Sequence, residues 1–266
     1  MAEVDLDKCY AVIMEAVEKA SEIIQKGFAS TKTVKTKTAS HDIVTEYDRK
    51  IEDCLIGHLS KVFPTHKFIG EETFMNEVLT DEPTWIIDPI DGTANFVHSY
   101  PYSAICAALC VRKEILIGIV CNPMMNQLYT AIKGRGSFLN GKKLSTSKIE
   151  ELNRAVVGYE ISLGAYPQNT ELYVKRYRSC VTQCQGMRSI GCAQLSLCLV
   201  ASGLWDAYHV EHLFPWDIAA GALIITEAGG TIIDVYGSKL NVELGRCIAA
   251  GTESLARKLV TVFNVS

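Results

Sequence analysis

Trp85-Ile86-Ile87-Asp88-Pro89-Ile90-Asp91-Gly92-Thr93-Ala94-Asn95-Phe96 passes within one short stretch from an apolar run to two carboxylates, a proline and a glycine. The apolar entry from Trp85 reads as a strand covered on both faces, and Pro89, lacking an amide hydrogen, cannot continue a central ladder. The strand is therefore expected to stop at Asp88, leaving both carboxylates at its end. Spaced around a turn, Asp88 and Asp91 can point into one space, where they repel unless a proton or a metal ion lies between them. A hard divalent cation suits such oxygen-only ligands. Gly92 allows close backbone approach, and the Gly92 and Thr93 amides with the Thr93 hydroxyl form a candidate cradle for an anion such as phosphate.

Upstream, Leu6, Val12, Ile13, Ala16, Val17, Ala20, Ile23 and Ile24 recur at helical spacing between Val4 and Phe28, with Gly27 as the expected stop. The threonine-lysine segment 31 to 38 reads as an edge strand or flap. A second helix is expected from Thr45 to Lys61, with Thr45 and Asp48 forming a capping box. Asp42 and Asp48 flank its start, where helix capping and a role in water or metal binding are both open. The short strand Lys67-Phe68-Ile69-Gly70 stops at Glu71 and Glu72, so a second strand ends in carboxylates, and one of these glutamates is a candidate to join Asp88 and Asp91.

Downstream, strands 104 to 111, 115 to 120 and 128 to 132 form an antiparallel meander, and the Asn140-Gly141 pair gives a further hairpin. Residues 148 to 152 are charged and mark a seam between an N-terminal lobe, 1 to 150, and a C-terminal α/β lobe, 151 to 266. The second lobe reads as strand 155 to 160, helix 170 to 181, strand 187 to 190, helix 193 to 202 and strand 205 to 210. It ends with strands 231 to 235 and 246 to 250 and a terminal helix from Glu253. Asp217, after Trp216, stands at the expected N-cap of a very apolar helix that stops at Gly229-Gly230. Capping alone explains it, yet a carboxylate entering an apolar core also suggests a third member of the cluster. His209, Glu211 and His212 do not make a zinc set, because residues three apart on an extended segment do not share a face.

The chain has 266 residues, 48% of them apolar, enough for a sizeable core. A net charge of -4, and a basic stretch from Lys32 to Lys37 interleaved with threonine rather than aromatic residues, argue against nucleic-acid binding. Residues 1 to 5 lack the pattern of an export signal, and no apolar run approaches the roughly 20 residues of a membrane span. A soluble, cytoplasmic protein is expected, with no membrane partner. The ten cysteines are scattered through apolar segments without a CxxC pair, and read as reduced core thiols.

Carboxylate ligands at several strand ends beside Gly-Thr amides describe a site for Mg²⁺ and phosphate, hence for phosphoryl hydrolysis. No P-loop and no cysteine with a placed histidine is apparent. Two residues, rather than one, separate Asp88 from Asp91, which argues for water as nucleophile rather than an aspartyl-phosphate.

Residues 85 to 98, from Trp85 to His98, resemble the first signature of the inositol monophosphatase family, and Trp216-Asp217-Ile218-Ala219-Ala220-Gly221 through Glu227-Ala228-Gly229-Gly230 resembles the second. Gly70-Glu71-Glu72 completes the set, and the resemblance covers essentially the whole chain. It implies an α/β fold built as a five-layered αβαβα sandwich, with a large, mainly antiparallel N-terminal sheet and a smaller C-terminal α/β lobe. It also implies a homodimer, Mg²⁺ dependence, inhibition by Li⁺ and hydrolysis of myo-inositol monophosphates by metal-activated water. Glu71, Asp88, the Ile90 carbonyl, Asp91 and Asp217 then correspond to metal ligands. Glu71 and Thr93, with Asp91, are the catalytic set, and the Gly92 and Thr93 amides cradle the phosphate. Gly191, Cys192, Ala193 and Asp91 face the inositol, and Lys37 and Asp48 lie near the site.

One departure bears on specificity. The family's inositol-binding glutamate falls here on Val210, with Glu211 one residue nearer the second signature, so Glu211 serves only if a bulge restores its position. The alternatives are a related phosphatase for sugar phosphates, fructose 1,6-bisphosphate or a nucleotide 3′-phosphate, and, more remotely, a metal- and phosphate-binding module without turnover.

Overall fold

A computed structural model describes residues 4–36, 43–73 and 77–264. In chain order, the first elements are α1 (Leu6–Phe28), β1 (Val34–Thr36), β2 (Ile43–Thr45), α2 (Glu46–Val62), β3 (Lys67–Gly70), β4 (Thr84–Asp91) and α3 (Thr93–Val97). The meander follows as β5 (Ala104–Val111), β6 (Glu114–Asn122), β7 (Gln127–Ile132), β8 (Ser137–Leu139) and β9 (Lys142–Lys143). Next come β10 (Val156–Tyr159), α4 (Thr170–Val181), β11 (Gly186–Arg188), α5 (Ala193–Ala201) and β12 (Ala207–Val210). The chain closes with α6 (Ala219–Glu227), β13 (Thr231–Ile233), β14 (Cys247–Ala250) and α7 (Glu253–Phe263).

Strands β3 to β9 form a seven-stranded sheet in sequence order, antiparallel except for the parallel pair β3 and β4. A five-stranded mixed sheet has the order β11-β10-β12-β14-β13. Three apolar layers join these sheets to the helices. Ile13, Val17 and Ile24 of α1, with Ile51 and Leu55 of α2, pack on Trp85, Ile87, Ile105 and Ile117 of the large sheet. Leu195 and Leu197 of α5 and Ala220 and Ile224 of α6 fill the space between the large sheet's other face and Tyr208, Val210 and Ala249 of the small one. Tyr173 of α4 and Leu255 and Leu259 of α7 cover the far face at Val157, Tyr159 and Ile248. The result is the expected αβαβα sandwich. The strand period sends successive side chains to opposite faces, so Trp85 and Ile87 enter one layer and Ile86 the other.

Two expectations need correction. β4 does not stop at Asp88 but runs to Asp91, with a register shift between Asp88 and Asp91. The proline is tolerated because β3 ends at Gly70, opposite Ile87, so no neighbour on that side asks Pro89 for an amide. Gly27 lies within α1 rather than ending it; the Tyr47 ring leaves no room there, since a Cβ would sit 2.7 Å from the ring.

Candidate active site

Asp88, Asp91 and Asp217 converge, each offering a carboxylate oxygen within 4.8 Å of the others. β4 supplies the first two from its end. Asp88 Oδ1 accepts the Ile90 amide at 2.9 Å, while Oδ2 is buried with no hydrogen-bond partner. Asp91 accepts from the first turn of α5, taking the Ala193 amide at 3.2 Å, the Gln194 amide at 2.6 Å and the Cys192 thiol at 3.0 Å. Asp217 arrives on a single 3₁₀ turn, Pro215–Asp217, and its Oδ2 accepts the Phe214 amide at 2.8 Å. It is therefore not the N-cap of the following helix, as expected from sequence: α6 starts at Ala219 with Ile218 in the cap position, and Asp217 caps the turn before it.

Burial drives the Asp88 carboxyl well above the ordinary carboxylate range, and the charges of Glu71, Asp91, Asp217 and Asp48 push it further. Burial also lifts Asp91 to about 6, against the lowering effect of its hydrogen bonds from Cys192, Gln194 and Ala193. Glu71, in the turn after β3, is the largest of the like charges acting on Asp88. Clustered hard oxygens, one of them orphaned, destabilise one another in the absence of a counter-charge, and a divalent cation removes that repulsion. The residues present fit such an ion.

Around this cluster, Gly92 takes a left-handed φ of 83° at the start of α3, and a Cβ there would lie 2.9 Å from the Tyr102 carbonyl and 3.0 Å from that of Gly191. No other residue type fits that approach. The Thr93 hydroxyl lies 2.9 Å from the Ile90 carbonyl and 3.3 Å from Asp48 Oδ1, so its single proton has two acceptors. Asp48 completes the expected capping box, its Oδ2 accepting the Thr45 amide at 2.8 Å and hydroxyl at 2.6 Å. Capping and proximity to Thr93 are thus both realised. Burial lifts Asp48 to about 6.

Gly191, Cys192 and Ala193 lead into α5 beside Asp91. Glu211 does not join them. The β12–β14 register is regular through Val210, with no bulge, so Val210 turns into the layer shared with Cys192 and Trp216, and Glu211 turns to the opposite face. There it is buried and ion-paired with Arg176 of α4. His209, on that same face, stacks on Tyr159 and Phe263, and His212 Nδ1 lies 3.1 Å from the Tyr173 hydroxyl. Neither belongs to a metal cluster among the described residues. Lys37 and Asp42 lie outside the described residues.

Three supporting residues were not singled out from sequence. Glu52 is fully buried, accepts the Glu72 amide at 2.9 Å and so holds the turn that carries Glu71. Its spacing of one helical turn from Asp48 was the available signal. Gln194 accepts the Gly221 amide at 2.7 Å and donates to the Trp216 carbonyl at 2.6 Å. Asn95 donates to the carbonyls of Tyr102 and Ile190, both at 2.7 Å. These last two had no local pattern to reveal them, since the Ile190 partner of Asn95 and the Trp216 and Gly221 partners of Gln194 come from distant segments.

Comparison with known proteins agrees with the geometry. A sequence profile described as the inositol monophosphatase family matches residues 5–265. Inositol monophosphatase 2 of Solanum lycopersicum is 41% identical over 260 residues, covering 96% of this chain and 97% of the relative. Inositol monophosphatase 2 of Mus musculus is 40% identical over 254 residues, covering 94% and 88%. The crystal structure of the extragenic suppressor protein SuhB from Bartonella henselae superposes with a TM-score of 0.89 at 30% identity, covering 97% of this chain and 98% of that one.

Proposed function

The chain belongs to the inositol monophosphatase family and is a phosphatase of inositol phosphates, and we propose that Mg²⁺, held by Glu71, Asp88, the Ile90 carbonyl, Asp91 and Asp217, is its cofactor. When bound, the ion neutralises charge on the phosphate and on the departing alcohol oxygen. Glu71 and Thr93 orient the attacking water, and Glu71 takes its proton. The Gly92 and Thr93 amides hold the phosphate, in the cradle that only glycine permits at position 92. Asp91 and the Gly191 to Ala193 segment face the alcohol. Because Asp91 and Asp217 come from opposite sides of residue 150, both lobes make one catalytic unit.

The observation that carries this reading is the convergence of three carboxylates with Asp88 Oδ2 unpartnered. Phosphate release from inositol 1-phosphate, dependent on added Mg²⁺ and lost in Asp88→Asn and Asp91→Asn, is the expected result. Full activity in either variant would overturn the site assignment.

Three further properties follow as proposals. A cytoplasmic location is supported by ten free cysteines, which a reducing compartment preserves, and among the described residues no helix is long and apolar enough to cross a membrane. Homodimer formation and inhibition by Li⁺ are supported by family membership, and light scattering and assays with added LiCl check them.

A further inference from the structure

Phe214 lies three residues before Asp217 and donates its backbone amide to the Asp217 carboxylate at 2.8 Å. Its ring stacks on Trp216, with centroids 4.7 Å apart and planes 12° from parallel. Trp216 is buried, yet Phe214 is 57% exposed. Trp216 therefore occupies one face of the Phe214 ring, and the exposure belongs to the other face and the edges, on the turn that carries Asp217. The segment is not a free loop. His212 holds a left-handed φ of 61°, the Tyr173 hydroxyl donates to the Glu211 carbonyl at 2.9 Å, and the Leu213 amide donates to Gly245 at 2.9 Å. A ring fixed in orientation before its ligand arrives loses little freedom on contact.

The same segment turns its carboxylate away from the site. Glu211, the one carboxylate near the end of β12, is spent on Arg176 across the sheet, and Val210 on the site's side has no polar atom.

We propose that Phe214 is a specificity-determining residue that stacks on the leaving group, so that the enzyme also takes phosphomonoesters whose alcohol carries a flat, apolar ring. This rests on the phosphomonoesterase reading above. Flat rings prefer offset or edge contacts with an aromatic partner, and such a pair contributes beyond its buried area, which a saturated ring of similar size cannot match.

Phenyl phosphate and cyclohexyl phosphate provide the test, with wild type, Phe214→Leu and Phe214→Tyr. The two esters differ in leaving-group reactivity, but that difference cancels when their kcat/KM ratio is compared between enzymes. In Phe214→Leu the phenyl-to-cyclohexyl ratio falls about threefold to tenfold, chiefly through KM for phenyl phosphate, and Phe214→Tyr, which keeps the flat face, retains it. An unchanged ratio in Phe214→Leu overturns the proposal, as does wild type that hydrolyses inositol 1-phosphate but not phenyl phosphate; in both cases the phosphomonoesterase reading stands. Wild type that hydrolyses none of the three esters overturns both. Circular dichroism and the thermal midpoint confirm that each variant is folded before its ratio is read.

Discussion

The Gln194 amide donates to Asp91 Oδ2 at 2.6 Å, and the same residue's side-chain nitrogen donates to the Trp216 carbonyl at 2.6 Å. One residue at the start of α5 thus joins the end of β4 to the turn that carries Asp217. Gln194→Leu keeps the backbone bond to Asp91 but leaves the buried Trp216 carbonyl and Gly221 amide without partners. Each orphaned group costs about 1–3 kcal/mol. The thermal midpoint should fall by several degrees, and the Mg²⁺ concentration at half-maximal activity should rise, because Asp217 is less firmly placed against Asp88 and Asp91. An unchanged Mg²⁺ requirement would show that Gln194 contributes to folding alone.

Divalent cation binding should be visible as stability. Asp88 and Asp91 are both raised above the ordinary carboxylate range, chiefly by burial, with Asp91 at about 6. A carboxyl whose folded value is raised contributes stability that is present below its unfolded value and lost as pH rises through the folded one. Metal-free protein is therefore weakened between about pH 4 and pH 6 and stays so at neutral pH, and a cation at the cluster reverses the loss. At a concentration 100 times the dissociation constant, binding adds about 2.7 kcal/mol, a rise of roughly 5–10 °C for a chain of this size. Thermal scans with Mg²⁺ or with chelator should show that difference at pH 8 and a smaller one at pH 5. Equal midpoints at pH 8 would contradict the cluster as a cation site.

Arg176 and Glu211 test the rejected substrate contact. Their ion pair is buried between α4 and the small sheet, and Arg176 Nε also donates to the Phe263 carbonyl at 3.0 Å. Removing one member leaves the other charge buried and unpaired, which costs about 3–5 kcal/mol. Arg176→Met and Glu211→Gln should both lower the urea midpoint sharply, with KM for inositol 1-phosphate near that of wild type at a temperature where each remains folded. A large rise in KM for Glu211→Gln alone would place its carboxylate back at the substrate.

Much of this was legible in the sequence because the decisive signals are local. Helical and strand periodicities located nearly every element, and α4 falls on the residues expected, Thr170–Val181. Asp88, Asp91 and Asp217 were readable as carboxylates at the ends of buried segments, where an unpaired charge needs a reason. What was not legible depends on partners distant in the chain. Pro89 sits in β4 because β3 ends beside it, which no reading of residues 85 to 96 reveals. Glu211 was ambiguous by one residue, and one residue is enough to send a strand side chain to the opposite face. The sheet register and Arg176, 35 positions earlier, decide it.

Asp48 sets stability against activity. Its Oδ2 is committed to Thr45, leaving Oδ1, 3.3 Å from the Thr93 hydroxyl, as the acceptor that faces the site. Burial lifts this carboxyl from 3.8 to about 6, so the ionised form is present at neutral pH at the expense of the fold. The shift corresponds to about 3 kcal/mol, against about 1 kcal/mol for the capping acceptor that an asparagine retains only in part. Asp48→Asn in metal-free protein should therefore be more stable than wild type at pH 8. Below about pH 4, where the wild-type carboxyl is protonated in both states, that advantage should vanish. Turnover should move the other way. If the ionised Oδ1 holds the Thr93 proton, wild-type kcat falls on the acid side as Asp48 is protonated, at a pH below about 6 because a bound cation offsets the Glu71 and Glu72 charges that raise its carboxyl, and Asp48→Asn has a low kcat with this acidic limb removed. Stability curves at pH 4 and pH 8, with a pH profile of phosphate release, separate the two effects. Full activity in Asp48→Asn would leave the residue as a helix cap and nothing more.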